Sequence, residues 1–380
     1  MRFLYMPASQ RLNSIQAMRG VAALLVVLYH ARHYLNGQMP HEKVGDFLFG
    51  YGYIGVDLFF IISGFIITYV TYSQKRDGGL SYITKRLFKI YPPFIVALFS
   101  ACILRGLNFD NLQLTGGFTL DNIIKSALFI PINFNNPPYT ATNLLPVAWT
   151  ITYELIFYTI FFAAMQTNHQ LRGLLTAFII ILLFLISSLG RGVIDFSPGA
   201  KPMSSNFISL ITNPIMLTFV LGIISNWLFF KIINVEINIV NAYSTLTLLA
   251  AIVLILSGKF TGHGLLGYGF ISFLIFISIM LLIEINNVKI PRPILFLGEI
   301  SYSLYLSHMV IILTIDKYKE RFPLFGDTHG FSKFASVVIV SIFFAYILYM
   351  LIEKPCVNLS RLLLKKRGLI KASQVSTNSE

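Results

Sequence analysis

Residues 265–285 read LLGYGFISFLIFISIMLLIEI, and this stretch sets the class of fold. It contains one charged side chain, Glu284. A helix needs about 20 mostly apolar residues to cross the hydrocarbon core of a bilayer, so the stretch is predicted to be a membrane span. Nine further segments of the same kind occur along the chain. The ten predicted spans are 14–35, 51–72, 88–106, 147–165, 171–189, 207–230, 239–257, 265–285, 294–315 and 331–352.

The composition of the whole chain agrees with this prediction. Of its 380 residues, 56% are hydrophobic and 12% are charged, against roughly 45–50% and about 25% in soluble domains. These values exclude a soluble globular protein and a disordered chain, and outer-membrane barrels show a much weaker, alternating pattern. We therefore expect an all-α polytopic integral membrane protein with about ten transmembrane helices. Residues 1–355 are predicted to form the transmembrane domain and residues 356–380 a short basic tail.

The positive charge of the chain is explained by membrane topology. The net charge of +13 raises the question of nucleic-acid binding, but Lys and Arg concentrate in linkers at alternate ends of the predicted spans. Cytoplasmic linkers of membrane proteins are enriched in these residues. The densest clusters, around Lys85 and in the C-terminal tail, place both termini in the cytoplasm. Arg19 precedes the first apolar run and no small-residue cleavage site closes that run, so helix 1 is expected to remain in the mature protein.

Two ionisable residues share one face of helix 1. Arg19 and His30 are separated by about three helical turns, or roughly 16 Å, and small residues lie between them on that face, which predicts a close-packed seam or a narrow groove. Charges within a bilayer are costly and often functional. Histidine can take a proton from a hydroxyl near neutral pH, so His30 is a candidate catalytic base, or else a nucleophile that accepts the acyl group transiently. The alternative is a histidine that only holds two helices together.

Two further motifs lie near the ends of the next helices. Asp57 lies close to the outer end of helix 2, where we expect it to reach His30 and orient the imidazole, or else to cap the helix. Lys85, Arg86 and Lys89 lie at the cytoplasmic start of helix 3 and suit a phosphorylated ligand. Their alternative explanation is ordinary positive-inside anchoring.

Later helices carry polar side chains at helical spacing. Glu154 lies between Thr150 and Tyr158 on one face of helix 4, and Tyr305 and His308 share a face of helix 9. Glu353 lies just beyond helix 10, where a charge at the membrane interface costs little free energy. Each of these groups either lines a polar cavity or bonds one helix to another.

One apparent motif is discounted. Residues 262–267 (GHGLLG) match a dinucleotide-binding string, but an apolar helix precedes them and no βαβ unit surrounds them. We expect this segment to be a flexible loop between helices. Neither of the two cysteines lies in a metal-ligand or disulfide pattern, so no metal is expected.

Taken together, the motifs resemble the membrane-bound acyltransferase-3 family, and within it the exopolysaccharide-production branch. The residues that carry the resemblance are Arg19 with His30, residues 55–65 (GVDLFFIISGF), Arg86-x-x-Lys89-Ile-Tyr-Pro92, residues 149–158 (WTITYELIFY), residues 298–308 (GEISYSLYLSH) and Glu353-Lys-Pro355. They occur in the family's order and extend over nearly the whole chain. One departure is Lys89, where the family usually has arginine, so a contact that needs the bidentate guanidinium is lost.

The resemblance implies a multi-pass enzyme of the bacterial inner membrane. Such an enzyme moves an acyl group, usually acetyl, from acyl-coenzyme A to a hydroxyl of a polysaccharide or its lipid-linked precursor. His30 would be catalytic, with Asp57 and Arg19 supporting it. Donor-binding residues would be Lys85, Arg86, Lys89 and Arg19, and the site would be lined by Trp149, Tyr153, Glu154, Tyr305, His308 and Glu353. The expected partners are acetyl-CoA, the saccharide acceptor and membrane lipids, with no metal and no nucleic acid.

Two other functions fit the same sequence in part. Ten helices with buried charges and a proline-interrupted segment at residues 91–93 also suit a transporter of glycans or lipid-linked sugars. A transporter does not need a basic donor cluster, and the sequence shows no internal repeat. The second alternative is a structural partner in a glycan-export complex. Dependence on acyl-coenzyme A separates the enzyme from both.

Overall fold

A computed structural model describes residues 12–37, 42–71, 79–108, 114, 117–134, 138–139, 142–200, 207–318, 321 and 330–369. Within this part of the chain the fold is helical, and an isolated β-bridge pairs Leu114 with Phe118. The α-helices are α1 (Asn13–Ala31), α2 (Val44–Phe49), α3 (Ile54–Thr71), α4 (Gly79–Leu104), α5 (Leu120–Ala127), α6 (Trp149–Thr167), α7 (Arg172–Arg191), α8 (Phe207–Ile211), α9 (Leu217–Ile232), α10 (Ile237–Leu256), α11 (Phe270–Ile285), α12 (Arg292–Glu299), α13 (Ser301–Tyr318), α14 (Phe331–Leu348) and α15 (Lys354–Lys366).

The prediction of an all-α polytopic membrane protein is confirmed. Nine helical segments in the described residues are long and apolar enough to span a membrane, and the pair α12 and α13 makes a tenth if it counts as one span. The sequence predicted a single straight helix over 294–315. Instead, the two helices meet at 72°, because Ile300 leaves the helical conformation with φ −86° and ψ 2°.

The final span is longer than predicted. It continues from α14 through a π-helical turn at Tyr349–Glu353 into α15 and ends at Lys366. Pro355 lies at the start of α15, directly after the π-helical turn. The predicted domain boundary at residue 355 therefore falls inside continuous helix. Part of the predicted tail, residues 370–380, lies outside the described residues.

Close helix contacts depend on small residues. A Cβ added to Gly55 of α3 would overlap the carbonyl of Ala22 in α1, and one added to Gly298 of α12 would overlap the carbonyl of Gln16. Helix interfaces in membranes are commonly built this way, because small side chains let two backbones approach. Ala22, Ala23, Val26 and Val27, which separate Arg19 from His30, are at most 1% exposed. That face of α1 is thus a packed seam rather than a groove.

Candidate active site

His30 on α1 faces His308 on α13. The Nδ1 atom of His30 lies 2.9 Å from the carbonyl oxygen of Val26 and 3.3 Å from Nε2 of His308. Nδ1 of His308 lies 3.1 Å from the carbonyl oxygen of Leu304. The sequence predicted His308 as a residue that lines the site, and the structure brings its ring next to the candidate base.

These contacts fix which nitrogen carries each proton. A carbonyl oxygen only accepts, so Nδ1 of His308 donates to Leu304 and its Nε2 is left as an acceptor. Nδ1 of His30 then donates to Val26 and His308, which leaves the Nε2 lone pair of His30 unprotonated in the neutral ring. This Nε2 makes no hydrogen bond to any described residue. Such a nitrogen is ready to accept a proton.

Asp57 does not contact His30, so the predicted pairing is wrong. Its Oδ2 accepts a hydrogen bond from Nδ1 of His263 at 2.8 Å, and its Oδ1 accepts one from the backbone N–H of Gly264 at 2.9 Å. The physical reason lies in the segment before α11. That segment enters the bundle and offers both partners to a carboxylate that is fully buried.

The segment around His263 is also more ordered than predicted. Gly262 donates its backbone N–H to the Tyr53 hydroxyl at 3.0 Å, and a π-helical turn follows at Leu265–Gly269. Gly264 has φ +90°, a conformation that favours glycine. The expected flexible loop is therefore a specific turn that positions His263.

A cavity of about 90 Å³ lies between α1, α3, α4, α6 and α13. We call it the basic cavity, because Arg19, Arg86 and Lys89 line it together with one carboxylate, Glu154. None of these three cations forms a direct ion pair with a carboxylate in the described part of the chain. Cations within a membrane usually pair, so this arrangement suits an anionic ligand.

Hydroxyl groups surround the carboxylate of this cavity. Glu154 accepts a hydrogen bond from Ser63 at 2.8 Å and another from the Tyr158 hydroxyl. The guanidinium of Arg86 lies 4.9 Å from the centre of the Tyr158 ring, a cation–π distance. The predicted grouping of Glu154 with Tyr158 therefore also places Arg86.

Glu353 is buried between helices. It is 3% exposed and accepts a hydrogen bond from Ser303 on α13 at 2.7 Å. Arg19 and Lys89 lie within electrostatic range of it. The π-helical turn carries Glu353 inward, where it offsets part of the positive charge beside the basic cavity.

The structure places Tyr305, Tyr153 and Lys85 in three different environments. Tyr305 lines the basic cavity, bonds the Thr150 hydroxyl at 2.8 Å, and has its ring 5.9 Å from the ring of His308. It thus connects the cavity with the histidine pair. Tyr153 is fully buried and donates to the carbonyl oxygen of Pro138 at 3.0 Å. Lys85, predicted to bind the donor, is not among the residues that line the basic cavity.

A second cavity, of about 560 Å³, opens toward the other end of α1. We call it the aromatic cavity, because Tyr29, Tyr53 and Tyr139 line it. The ring of Trp149 stands between the two cavities, 5.5 Å from the ring of His263 and 6.5 Å from that of Phe60, which lines the basic cavity. Partial burial raises the pKa of the Tyr139 phenol above its ordinary value, so this phenol stays protonated at neutral pH.

The family model for an acyltransferase domain, that of the acyltransferase-3 family, matches residues 12–350. The chain belongs to the acyltransferase-3 family. It is a multi-pass membrane acyltransferase, and the basic cavity and the histidine pair both lie within the matched residues. No solved structure matches the chain.

Curated relatives support the exopolysaccharide branch of this acyltransferase-3 family. The chain is 27% identical to the exopolysaccharide production protein ExoZ of Rhizobium meliloti over 84% of this chain and 94% of ExoZ. It is 30% identical to Nodulation protein 10 of Rhizobium leguminosarum over 38% of this chain and 42% of that protein. It is also 26% identical to a Staphylococcus aureus protein provisionally named O-acetyltransferase SAS0844, over 92% of this chain and 57% of the relative.

Sequence reasoning missed several residues of this region. Ser63 and Ser303 donate hydrogen bonds to Glu154 and Glu353, and Tyr302 lines the basic cavity and donates to the carbonyl oxygen of Ile90. All three lie inside the motifs at residues 55–65 and 298–308, and that membership is the signal that could have indicated them. His263 had no such signal. Its position depends on how the segment before α11 enters the bundle, which no local pattern in the sequence encodes.

Proposed function

We propose that this chain is an inner-membrane O-acyltransferase of bacteria. It transfers an acyl group, in our proposal acetyl, from acyl-coenzyme A to a hydroxyl of an exported polysaccharide or its lipid-linked precursor. The observation that carries the proposal is the pair of His30 and His308, which engages Nδ1 of His30 and leaves its Nε2 without a hydrogen-bond partner in the described residues. Tyr305 connects this pair to a cavity lined by three cations that form no direct ion pair in the described residues. ExoZ, by its name a protein of exopolysaccharide production, supports the choice of acceptor.

In the proposed reaction, His30 is the general base. The acceptor O–H gives its proton to Nε2 of His30 while the oxygen forms a bond with the thioester carbonyl carbon. The C–S bond then breaks, its electron pair leaves with the sulfur of coenzyme A, and the thiolate takes the proton back from His30. The products are an ester and free coenzyme A.

The basic cavity is assigned to a phosphate-bearing part of the donor, because its volume of about 90 Å³ is too small for a whole coenzyme A. Coenzyme A carries phosphate groups and is an anion, which three cations in a low-dielectric site attract strongly. Glu154 and Glu353 limit the positive charge, so the cations remain compatible with burial when no donor is bound.

The test uses purified protein in lipid nanodiscs with radiolabelled acetyl-CoA. The acceptor is the polysaccharide of the encoding strain, stripped of its esters by mild alkali. We expect the wild type to place alkali-labile label on the polysaccharide and to release an equal amount of coenzyme A. His30→Ala, at matched protein levels, should lower kcat by roughly 10²–10⁴-fold.

Two results would reject parts of the proposal. If the wild type transfers no label while loss of the gene changes only the amount or location of glycan, the transporter is favoured. If His30→Ala keeps full activity, the catalytic assignment of His30 is wrong. Acid-quenched protein that retains label on His30 would show acyl transfer through the histidine in place of direct base catalysis.

A further inference from the structure

The aromatic cavity differs from the basic cavity in size and charge. It has a volume of about 560 Å³, against about 90 Å³ for the basic cavity, and so falls within the range of roughly 300–1,000 Å³ of typical ligand sites. Its described lining contains no Lys or Arg, and its one carboxylate is Asp195. An anion such as coenzyme A is therefore disfavoured there, whereas a neutral ligand rich in hydroxyl donors is favoured.

The polar groups of this cavity are held in place before any ligand binds. Asp57, fully buried, fixes Nδ1 of His263 as a donor, so Nε2 of the neutral ring is an acceptor. His263 lines the cavity, and its Nε2 has no hydrogen-bond partner in the described residues. Oδ1 of Asp195 accepts from the backbone N–H of Ser197 at 2.8 Å, which orients the second acceptor group of the wall.

Aromatic rings line the cavity beside His263. The ring of Tyr139 lies 5.0 Å from that of Trp149 and 6.4 Å from that of His263. Tyr53 lies 5.3 Å from His263. Such rings offer flat apolar surfaces with a polar edge, which suits the C–H faces of a pyranose whose hydroxyls point to the rim.

The cavity is also close to the candidate base. Tyr29 lines it, and the Tyr29 ring lies 5.2 Å from the ring of His30, the next residue in the chain. A saccharide in the aromatic cavity thus lies one side chain away from His30. The basic cavity lies near the same histidine pair, because Tyr305 lines this cavity and contacts His308.

We propose that the aromatic cavity is the acceptor site and binds one pyranose unit of the saccharide. Nε2 of His263 accepts a hydrogen bond from a sugar hydroxyl, Asp195 accepts a second, and Tyr139 packs against the sugar ring. This inference rests on the proposed function for the identity of the acceptor. The binding site itself can be tested without acyl transfer.

A fluorescence titration tests the site directly. The chain has two tryptophans, and Trp227 is 56% exposed and remote from the cavity lining. Trp227→Phe therefore leaves Trp149, in contact with Tyr139, as the single reporter. The probe is the oligosaccharide fraction from partial acid hydrolysis of the de-esterified polysaccharide of the encoding strain. We expect a saturable change in Trp149 emission that excess coenzyme A does not reverse.

Variants of exposed or half-exposed groups avoid a folding defect. In the Trp227→Phe background, Tyr139→Ala and Asp195→Asn should each weaken oligosaccharide binding at least fivefold. Tyr243→Phe, on the surface of α10 and 70% exposed, is the matched control and should leave binding unchanged. No emission change in the parent, or undiminished binding in both Tyr139→Ala and Asp195→Asn, would overturn the site.

Activity measurements separate this inference from the proposed function. In the acetyl transfer assay, Tyr139→Ala and Asp195→Asn should raise KM for the polysaccharide at least fivefold and leave KM for acetyl-CoA unchanged. Active transfer with both KM values unchanged would reject the site and leave the function intact. Oligosaccharide binding with the expected variant pattern but no transfer by the wild type would reject the function and leave the site intact.

Discussion

His30 and His308 have different roles, although both are histidines on facing helices. Only His30 has a ring nitrogen free to take a proton, because both nitrogens of His308 are engaged, one by Leu304 and one by His30. His308 is thus a positioning residue. It accepts from Nδ1 of His30 and stabilises the imidazolium that forms when Nε2 takes a proton.

Replacing His308 tests this division. His308→Phe keeps the ring volume but removes the acceptor, and we expect kcat to fall by about 10–100-fold with little change in either KM. His308→Gln restores an acceptor oxygen and should recover part of kcat. The double variant with His30→Ala should be no slower than His30→Ala alone, because the residues act as a unit. The control is His33→Gln, because His33 is an exposed histidine one turn from His30. Equal activity of His308→Phe and the wild type would contradict the assignment.

Replacing Lys89 tests the assignment of the basic cavity to the donor. Replacing it with methionine removes one of three cations from the basic cavity, and a hydrogen bond to a charged group is worth about 1.5–3 kcal/mol. We expect Lys89→Met to raise KM for acetyl-CoA by about tenfold or more, with KM for the polysaccharide unchanged, and Lys89→Arg to retain wild-type KM. Lys231→Met, a surface lysine that stacks on Trp227 at 3.8 Å, is the control. An unchanged KM in Lys89→Met would remove this lysine from the donor site.

The residues show where sequence reasoning succeeds and where it fails. Glu154 with Tyr158, and Tyr305 with His308, could be grouped because helical spacing places residues three or four apart on one face. The partner of Asp57 could not be predicted, because His263 is 206 residues away in the chain and lies in a turn. Contacts within a helix are encoded locally, whereas contacts between distant segments depend on how the helices pack.

The break between α12 and α13 follows from the packing of α12 against α1. Gly298, near the end of α12, lies against the backbone of Gln16, so α12 docks on α1 at an angle that α13 does not continue. Hydropathy predicted the apolar length of this span correctly. Hydropathy contained no information on the bend, because an apolar segment has the same hydropathy whether its helix is straight or broken.

Gly298→Ala is expected to destabilise the protein. The added methyl would force the backbones of α1 and α12 apart, and overpacking of this kind costs about 1–3 kcal/mol. We expect a lower apparent melting temperature in detergent, measured by light scattering or tryptophan emission. The control is Gly50→Ala, where an added Cβ meets no atom within 4 Å. If both variants melt with the wild type, the close α1–α12 contact is not a determinant of stability.

The two cavities of the bundle differ in the charge of the residues that line them. The cations that line the basic cavity come from the N-terminal parts of α1 and α4, and the aromatic cavity lies at the opposite end of α1, beside the segment before α11. His30 and His308 lie between the two. This arrangement lets an anionic donor and a neutral acceptor reach one base from opposite directions, and it depends on the basic cavity facing the compartment that contains acyl-coenzyme A.

The orientation of the bundle in the membrane follows from which linkers lie at each end. Ser14, at the start of α1, donates to Glu284 at 2.5 Å, so Lys289 lies at the same end of the bundle as the N-terminus of α1, and Lys259, before α11, lies at the other end. Lys289 is on the side predicted to be cytoplasmic by its excess of basic residues. In a Cys356→Ser background, a membrane-impermeant maleimide should label Lys259→Cys in intact cells and Lys289→Cys only after permeabilisation. The reverse pattern would place the basic cavity toward the outside and exclude direct use of cytosolic acyl-coenzyme A.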